Sequence, residues 1–328
     1  MIRVSLKERL CHDSNCPMRE EKKLGIIGFG NQAKAWALNL KDSGWKISII
    51  LRPNSQNIPS AHKLGFEVLL INDPFIKEFK NFALLIPDHQ HLKALEELTP
   101  FILPQSRIIY AHGYSMGKNL FNNKYPKLNH LLLAPKSIAS EMRFFYETGK
   151  KISGVYSTEF SLNEKEDEHF ILELSRDLGL SVGPFKSRFS EECKADLFSE
   201  QALLCGLFPY AILEAYNLLR KNNVSAELAY LECWHESKLI IDAMIQKGPK
   251  DFFELISPNA LIGSQKGFEL MTPDLKKNFE RLLAEINNLK FDEQINQTDI
   301  AQLKQKVSTF WDNQELQQTF NQLKELYT

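Results

Sequence analysis

Two pairs of carboxylates have the residue types and the spacing to do chemistry. In "AYLECWHESKLI", residues 229–240, Glu232 and Glu236 lie one helical turn apart. Like charges at that spacing repel by roughly 0.2–0.5 kcal/mol even on a wet helix surface. On a wheel of about 3.6 residues per turn, their neighbours are Leu228, Ala229, Leu239, Ile240 and Ala243, which predicts a core-facing stripe. "KADLFSEQALLCGLF" repeats the arrangement with Asp196 and Glu200, whose face continues through Leu203, Leu204 and Leu207. An unpaired buried carboxylate is costly, so such groups are expected to be paired, protonated or metal-bound. Carboxylate oxygens suit a hard divalent cation such as Mg²⁺ or Mn²⁺. The competing reading is a purely structural network, with Lys194 and Lys238 as the cationic partners.

A second motif is a turn for a nucleotide. "LGIIGFGNQAKAWALNL" predicts a strand, a glycine turn and a helix. Gly28 allows the tight turn, and Gly30 lets backbone approach a pyrophosphate. The helix N-terminus adds free N–H groups and a favourable dipole. Ala33 stands at the third glycine of the usual fingerprint, where helix and strand pack closely. The context of strand before and helix after makes this a dinucleotide site rather than an ordinary turn. The second strand ends "IILRPNSQ", with no carboxylate for a ribose 2′-hydroxyl. Arg52 and Ser55 offer a cation and a hydroxyl, which favour the 2′-phosphate of NADPH over NADH.

Two kinds of segment must position these motifs. The first 22 residues read as an N-terminal arm. From Lys23 to about Ser187, short apolar runs alternate with helix-length stretches: "LGIIGFG", "KISIILR", "FEVLLI", "FALLIP", "RIIYAHG", "HLLLAP" and "ISGVYS" are the expected strands. That alternation predicts a doubly wound, Rossmann-type parallel sheet over 23–187. From 188 to 328 the long helical patterns contain no strand-like alternation, so the second domain is expected to be all-helical, with a kink at Pro209 and an amphipathic Gln- and Lys-rich tail. The fold class is thus α/β followed by all-α.

The 328 residues, 43% of them hydrophobic, can bury one large or two ordinary cores, and the formal net charge of −1 has no basic block for nucleic acid or a membrane surface. The first twenty residues lack the apolar run of a signal peptide, and no window approaches 18 apolar residues, so no membrane span is expected. A cytoplasmic protein is the expectation. Five cysteines are too few and too scattered for a disulfide framework. Cys11 and Cys16 in "CHDSNC" make a poor metal knuckle, and Cys205 and Cys233 are expected as small core residues.

From about Lys22 to Leu289 the sequence resembles ketol-acid reductoisomerase, also called acetohydroxyacid isomeroreductase. The resemblance rests on "GIIGFGNQA", "LRPNS", "LLIPD", "YAHGYS", "LAPK", "DLFSEQALLCG" and above all "AYLECWHESKLIID". The chain looks like the shorter of the family's two forms. The resemblance implies a reaction that depends on Mg²⁺ and NADPH. An alkyl group migrates in 2-acetolactate or 2-aceto-2-hydroxybutyrate, and the product is reduced to a 2,3-dihydroxy acid in valine and isoleucine synthesis. It also implies a knotted, dimer-forming helical domain. By the family's pattern, Asp196 bridges two Mg²⁺ ions and Glu200 binds one. Glu232 and Glu236 complete the shell, partly through water, from a partner subunit of a homodimer or larger homo-oligomer. His112 and Lys136 match the active-site histidine and lysine, and Ser257 the substrate-binding serine. Gly28, Phe29, Gly30, Asn31, Gln32, Arg52, Ser55 and Asp88 fall on the cofactor side.

The chain also departs from the pattern. After Lys136 the family has Gly-Pro-Gly, whereas this chain has Ser137, Ile138 and Ala139. After Ser257, "PNALIG" replaces the family's Asn-Thr-Ala-Glu-Tyr-Gly, and Asn57 replaces the second serine of the 2′-phosphate loop. Three functions therefore compete: the reductoisomerase, with its usual or a shifted substrate; an NADPH-dependent hydroxy-acid dehydrogenase without isomerase activity; and a non-catalytic NADP-binding dimeric protein.

Overall fold

The structure, a computed structural model, describes residues 21–119, 121–288, 294 and 297–326. Nearly all of the expected N-terminal arm, and the Cys11–Cys16 cluster, lie outside the described residues. The chain divides into two compact units, residues 1–193 and 194–328.

The first unit is built on eight strands: β1 (Lys23–Ile27), β2 (Lys46–Leu51), β3 (Glu67–Leu70), β4 (Asn81–Leu84), β5 (Arg107–Tyr110), β6 (Asn129–Pro135), β7 (Ile152–Phe160) and β8 (Leu180–Lys186). Their order in the sheet is β3-β2-β1-β4-β5-β6-β7-β8. The first six are parallel to their neighbours, β7 runs antiparallel to β6, and β8 runs parallel to β7. Alternate residues feed two separate cores, one on each face. Leu131 and Leu133 of β6 join the core that contains Trp36 and Leu40, whereas Leu132 and Ala134 join the one that contains Leu95 and Leu98. Burial on both faces is why the strands read as unbroken apolar runs. β8 was not expected, because "LSVGPFK" contains Gly183 and Pro184, which argue against a strand except at a sheet edge, where it lies.

Every regular element described in the second unit is a helix. One uninterrupted run crosses into it, from Phe189 through Phe198 as α-helix, Ser199 to Leu207 as π-helix and Phe208 to Lys221 as α-helix. Pro209 is the second residue after the π segment, so the irregularity expected at the proline takes the form of a widened turn before it. A second π segment, Leu231–His235, separates the helices Ala226–Tyr230 and Glu236–Lys247. Ser257 caps a 30-residue helix, Pro258–Asn287, so "PNALIG" is the start of a helix.

Three expectations need correction. The run 189–221 is long and apolar enough, by length and composition alone, to cross a membrane, although no such window was expected. Its apolar character comes from spaced Leu, Phe, Ala and Cys residues, which average high without forming a continuous block. The stripes around the carboxylate pairs are only partly buried within one chain: Ala229 is fully buried, but Leu203 is 47% exposed, Leu204 57% and Leu239 54%. The helical spacing predicted a covered face, and the chain itself covers only part of it. Likewise Cys205 is exposed and Cys233 half-buried. In the tail, Leu316 is buried and Trp311 packs beside it, while Leu303, Val307 and Phe310 remain exposed.

Candidate active site

Because β1, β2, β4, β5 and β6 run in one direction, their C-terminal ends form one edge of the sheet. Gly28, Arg52, Asp88, His112 and Lys136 all follow those ends. This is where a doubly wound sheet leaves a crevice, beside the reversal of strand order between β1 and β4.

The crevice is a cleft of about 430 Å³ lined by Gly28, Phe29, Gly30, Arg52, Ser55 and Asn57, with Ile86, Gln90 and Lys93 opposite. Gly28 has φ of +100°, and a Cβ there would lie 2.5 Å from Ile86 Cγ2, so the turn requires glycine. Gly30 is the N-cap of helix α1 (Asn31–Asp42), with no side-chain cap and no acidic residue in the first turn. The amides of Asn31 and Gln32 therefore open α1 with its positive dipole end uncompensated. Ala33 is fully buried, as close packing against the sheet demands. Arg52 donates a hydrogen bond to Gln90 Oε1. Lys93, missed from the sequence, adds a second cation to the same cleft and makes no ion pair among the described residues.

At the β5 and β6 ends the structure assembles a polar cluster. Glu192, also missed, lies at its centre with its side chain 1% exposed. Lys136 Nζ donates to Glu192 Oε1 at 2.6 Å, and the Gly113 amide donates to Oε2 at 2.5 Å. His112 Nε2 is 3.9 Å from Glu192 Oε2, and His112 Nδ1 is 3.4 Å from Asp88 Oδ2. Burial would raise the Asp88 carboxyl, but the hydrogen bond from His112 leads the effects that outweigh it and hold it below the usual range. An ionised Asp88 can only accept, so His112 carries a proton on Nδ1 and donates it in this contact. Asp88, expected on the cofactor side, lies within reach of His112 and, like Asn31 and Gln32, does not line the cleft. Glu192 gave a usable signal: it stands one turn before Asp196 in "EECKAD" and is the only charged residue of that stretch to be buried.

The expected metal ligands belong to the second unit. Asp196 lies in the last turn of the first α-helical part of the long run and Glu200 in its π segment, while Glu232 lies in the second π segment and Glu236 follows it. Both pairs thus flank π turns, a geometry concentrated at functional sites. Glu232 and Glu236 are exposed and make no hydrogen bond or ion pair with a described residue; Lys238, their candidate partner, pairs with Asp242. Among the described residues the four carboxylates do not converge on one point within a single chain. Their hard oxygen donors, unneutralised at Glu232 and Glu236, nevertheless fit a divalent cation. Ser257 is exposed and accepts a hydrogen bond from the Ala260 amide at 3.2 Å, which leaves its hydroxyl proton to donate.

A Rossmann-type sheet with a glycine turn at its switch point, joined to a helical unit with paired carboxylates, defines a nucleotide-dependent oxidoreductase class. Residues 18–180 match the acetohydroxy acid isomeroreductase NADPH-binding domain, and residues 189–328 match the ketol-acid reductoisomerase C-terminal domain. The chain is 34% identical over 271 residues to the ketol-acid reductoisomerase (NADP(+)) of Helicobacter acinonychis, covering 82% of each. It is 31% identical to that of Methanocaldococcus jannaschii, covering 83% of this chain and 82% of the relative. An NADH-preferring ketol-acid reductoisomerase from an uncultured archaeon shares the fold, with a TM-score of 0.82 at 24% identity over 93% of this chain and 94% of that one. The chain belongs to the ketol-acid reductoisomerase family.

Proposed function

We propose that the protein is a Mg²⁺- and NADPH-dependent ketol-acid reductoisomerase. It would isomerise 2-acetolactate or 2-aceto-2-hydroxybutyrate by alkyl migration and reduce the product to a 2,3-dihydroxy acid, in the cytoplasm, for valine and isoleucine synthesis. The observation that carries the reading is the buried Glu192 carboxylate, which holds Lys136 beside His112 at the same sheet edge as the dinucleotide cleft.

In this reading residues 23–187 form the cofactor domain and 188–328 the metal, substrate and dimerisation domain. The α1 amides of Asn31 and Gln32 receive the pyrophosphate after the Gly28–Phe29–Gly30 turn, and Arg52 and Ser55 receive the 2′-phosphate. Asp196 and Glu200 of one subunit, with Glu232 and Glu236 of another, would hold two Mg²⁺ ions. Bound there, the ions supply Lewis acidity for an alkoxide and a carbonyl on adjacent carbons. His112, with Nδ1–H given to Asp88, accepts a proton at Nε2. Lys136, anchored by Glu192, donates to a substrate oxygen. Ser257 donates its hydroxyl proton to the substrate.

One observation favours a shifted pocket. Ile138, in place of a family proline, is 75% exposed two residues after Lys136, so an apolar side chain stands at the rim of the reaction volume.

The test is NADPH oxidation with 2-acetolactate, with and without Mg²⁺, beside 3-hydroxy-3-methyl-2-oxobutyrate, the isomerised intermediate. Turnover of both, lost in Asp196→Asn, supports the proposal. Reduction of the intermediate alone supports the dehydrogenase, and tight NADPH binding without turnover the non-catalytic protein.

A further inference from the structure

His91 belongs to none of the motifs above, yet it is 2% exposed and both of its nitrogens are engaged. It is the first residue of helix His91–Leu98, which follows the turn bearing Asp88. His91 Nε2 lies 2.9 Å from the Ile86 carbonyl, and His91 Nδ1 lies 2.6 Å from Ser115 Oγ. A carbonyl can only accept, so Nε2 carries the proton. Burial holds the imidazole neutral by pushing its pKa down, against the pull of Asp88. Nδ1 is then a lone pair, and Ser115 donates its hydroxyl proton to it. The 3.7 Å approach of His91 Nδ1 to Asp88 Oδ1 is a proximity of two acceptors rather than an ion pair.

We propose that His91 and Ser115 are positioning residues for His112. Ile86 and Asp88 belong to the segment after β4; His112 and Ser115 belong to the segment after β5. The imidazole of His91 staples one segment to the other through two hydrogen bonds, and the Asp88–His112 contact spans the same gap. At 3.4 Å that contact is long for a hydrogen bond and cannot by itself fix the His112 ring. The staple sets the distance at which Asp88 meets Nδ1 and so holds Nε2 at 3.9 Å from Glu192 Oε2, within the polar cluster. Tyr110, with its ring 5.7 Å from that of His91, closes the remaining side. This inference rests on the proposed role of His112, and the experiment separates the two.

The experiment compares His91→Leu, His91→Gln and Ser115→Ala in the full-length protein. The leucine removes both hydrogen bonds at similar volume, while glutamine can accept from Ser115 and donate to Ile86. Histidine-selective ¹⁵N labelling, with the His112 signals assigned from His112→Asn, reports the His112 tautomer without substrate. The expected result is an Nδ1–H tautomer in the unmodified protein, a mixed tautomer in His91→Leu and restoration in His91→Gln. Turnover should follow, with kcat of His91→Leu down about tenfold or more, KM for NADPH unchanged and Ser115→Ala intermediate. A purely structural role would lower melting temperature or soluble yield and leave the His112 shifts of the folded fraction unchanged. Unaltered shifts and kcat in folded His91→Leu would overturn the proposal. An unmodified protein that turns over no acetohydroxy acid would count against the proposed function, and the nitrogen shifts would still decide the staple.

Discussion

Lys136 Nζ lies 2.6 Å from Glu192 Oε1, and the Glu192 side chain is almost completely buried while that of Lys136 is 37% exposed. One end of the pair is anchored in the protein and the other faces the open side of the sheet edge. A carboxylate buried to this depth needs hydrogen-bond donors, and here Lys136 and the Gly113 amide supply them. Glu192→Gln keeps an acceptor for Gly113 but cannot balance the ammonium. Its kcat should fall by about tenfold or more, with stability down by about 1–2 kcal/mol. Steady-state kinetics and denaturant melts measure the two; full activity would remove Lys136 positioning from the account.

The two glycines of the cofactor turn should fail differently. Gly28→Ala puts a Cβ 2.5 Å from Ile86 and 2.7 Å from the Leu85 carbonyl oxygen at a positive φ, so folding should weaken by about 2 kcal/mol or more. Gly30→Ala meets nothing within 4 Å of the new Cβ among the described residues, its chain neighbours apart. It should melt like the parent yet raise the KM for NADPH about tenfold or more, because the methyl occupies space reserved for the pyrophosphate. Calorimetry and cofactor titration of both variants check the contrast.

Acid should destabilise the first unit through His130. Burial pushes this imidazole down from 6.5 to about 4, offset in part by its contact with the Tyr125 carbonyl. Between those values the unfolded chain binds a proton that the folded chain refuses, so stability drops as pH falls from about 6.5 to about 4 and is flat above. His91, lowered in the same direction, adds to the slope. His130→Gln should flatten the melting-temperature profile across that window, by up to about 3 kcal/mol at its acid end. Equal slopes in the two proteins would contradict the assignment.

If the metal site is shared between subunits, two inactive variants should rescue one another. Asp196→Asn and Glu232→Gln each disable every site of their own homodimer. Mixed dimers would carry one site with both changes and one with neither. Equal mixing after subunit exchange should restore about a quarter of the parent activity. No rescue in confirmed mixed dimers would place all four carboxylates in one chain.

Much of the fold was legible because it rests on local signals. The turn at Gly28 and the apolar runs of β1 to β7 each announce themselves within a dozen residues. β8 was hidden because Gly183 and Pro184 are poor strand formers, tolerated only at the edge. The metal-ligand candidates were visible as pairs, but their exposure was not. Helical spacing says which residues share a face; it does not say which chain covers that face. Glu192 and His91 were missed for a related reason. Each acts through partners from other segments: Glu192 meets Lys136, 56 positions away, and His91 meets Ser115, 24 positions away. No short window carries that information.

The most direct test of the central claim follows one carbon. 2-Acetolactate carrying ¹³C in the methyl group on its hydroxyl-bearing carbon is turned over with NADPH and Mg²⁺, and the product is read by carbon–proton correlation NMR. The account predicts 2,3-dihydroxy-3-methylbutanoate with the label moved to the neighbouring carbon, formed only when Mg²⁺ is present. A reduced product with the label still on its original carbon, or turnover indifferent to Mg²⁺, would contradict it.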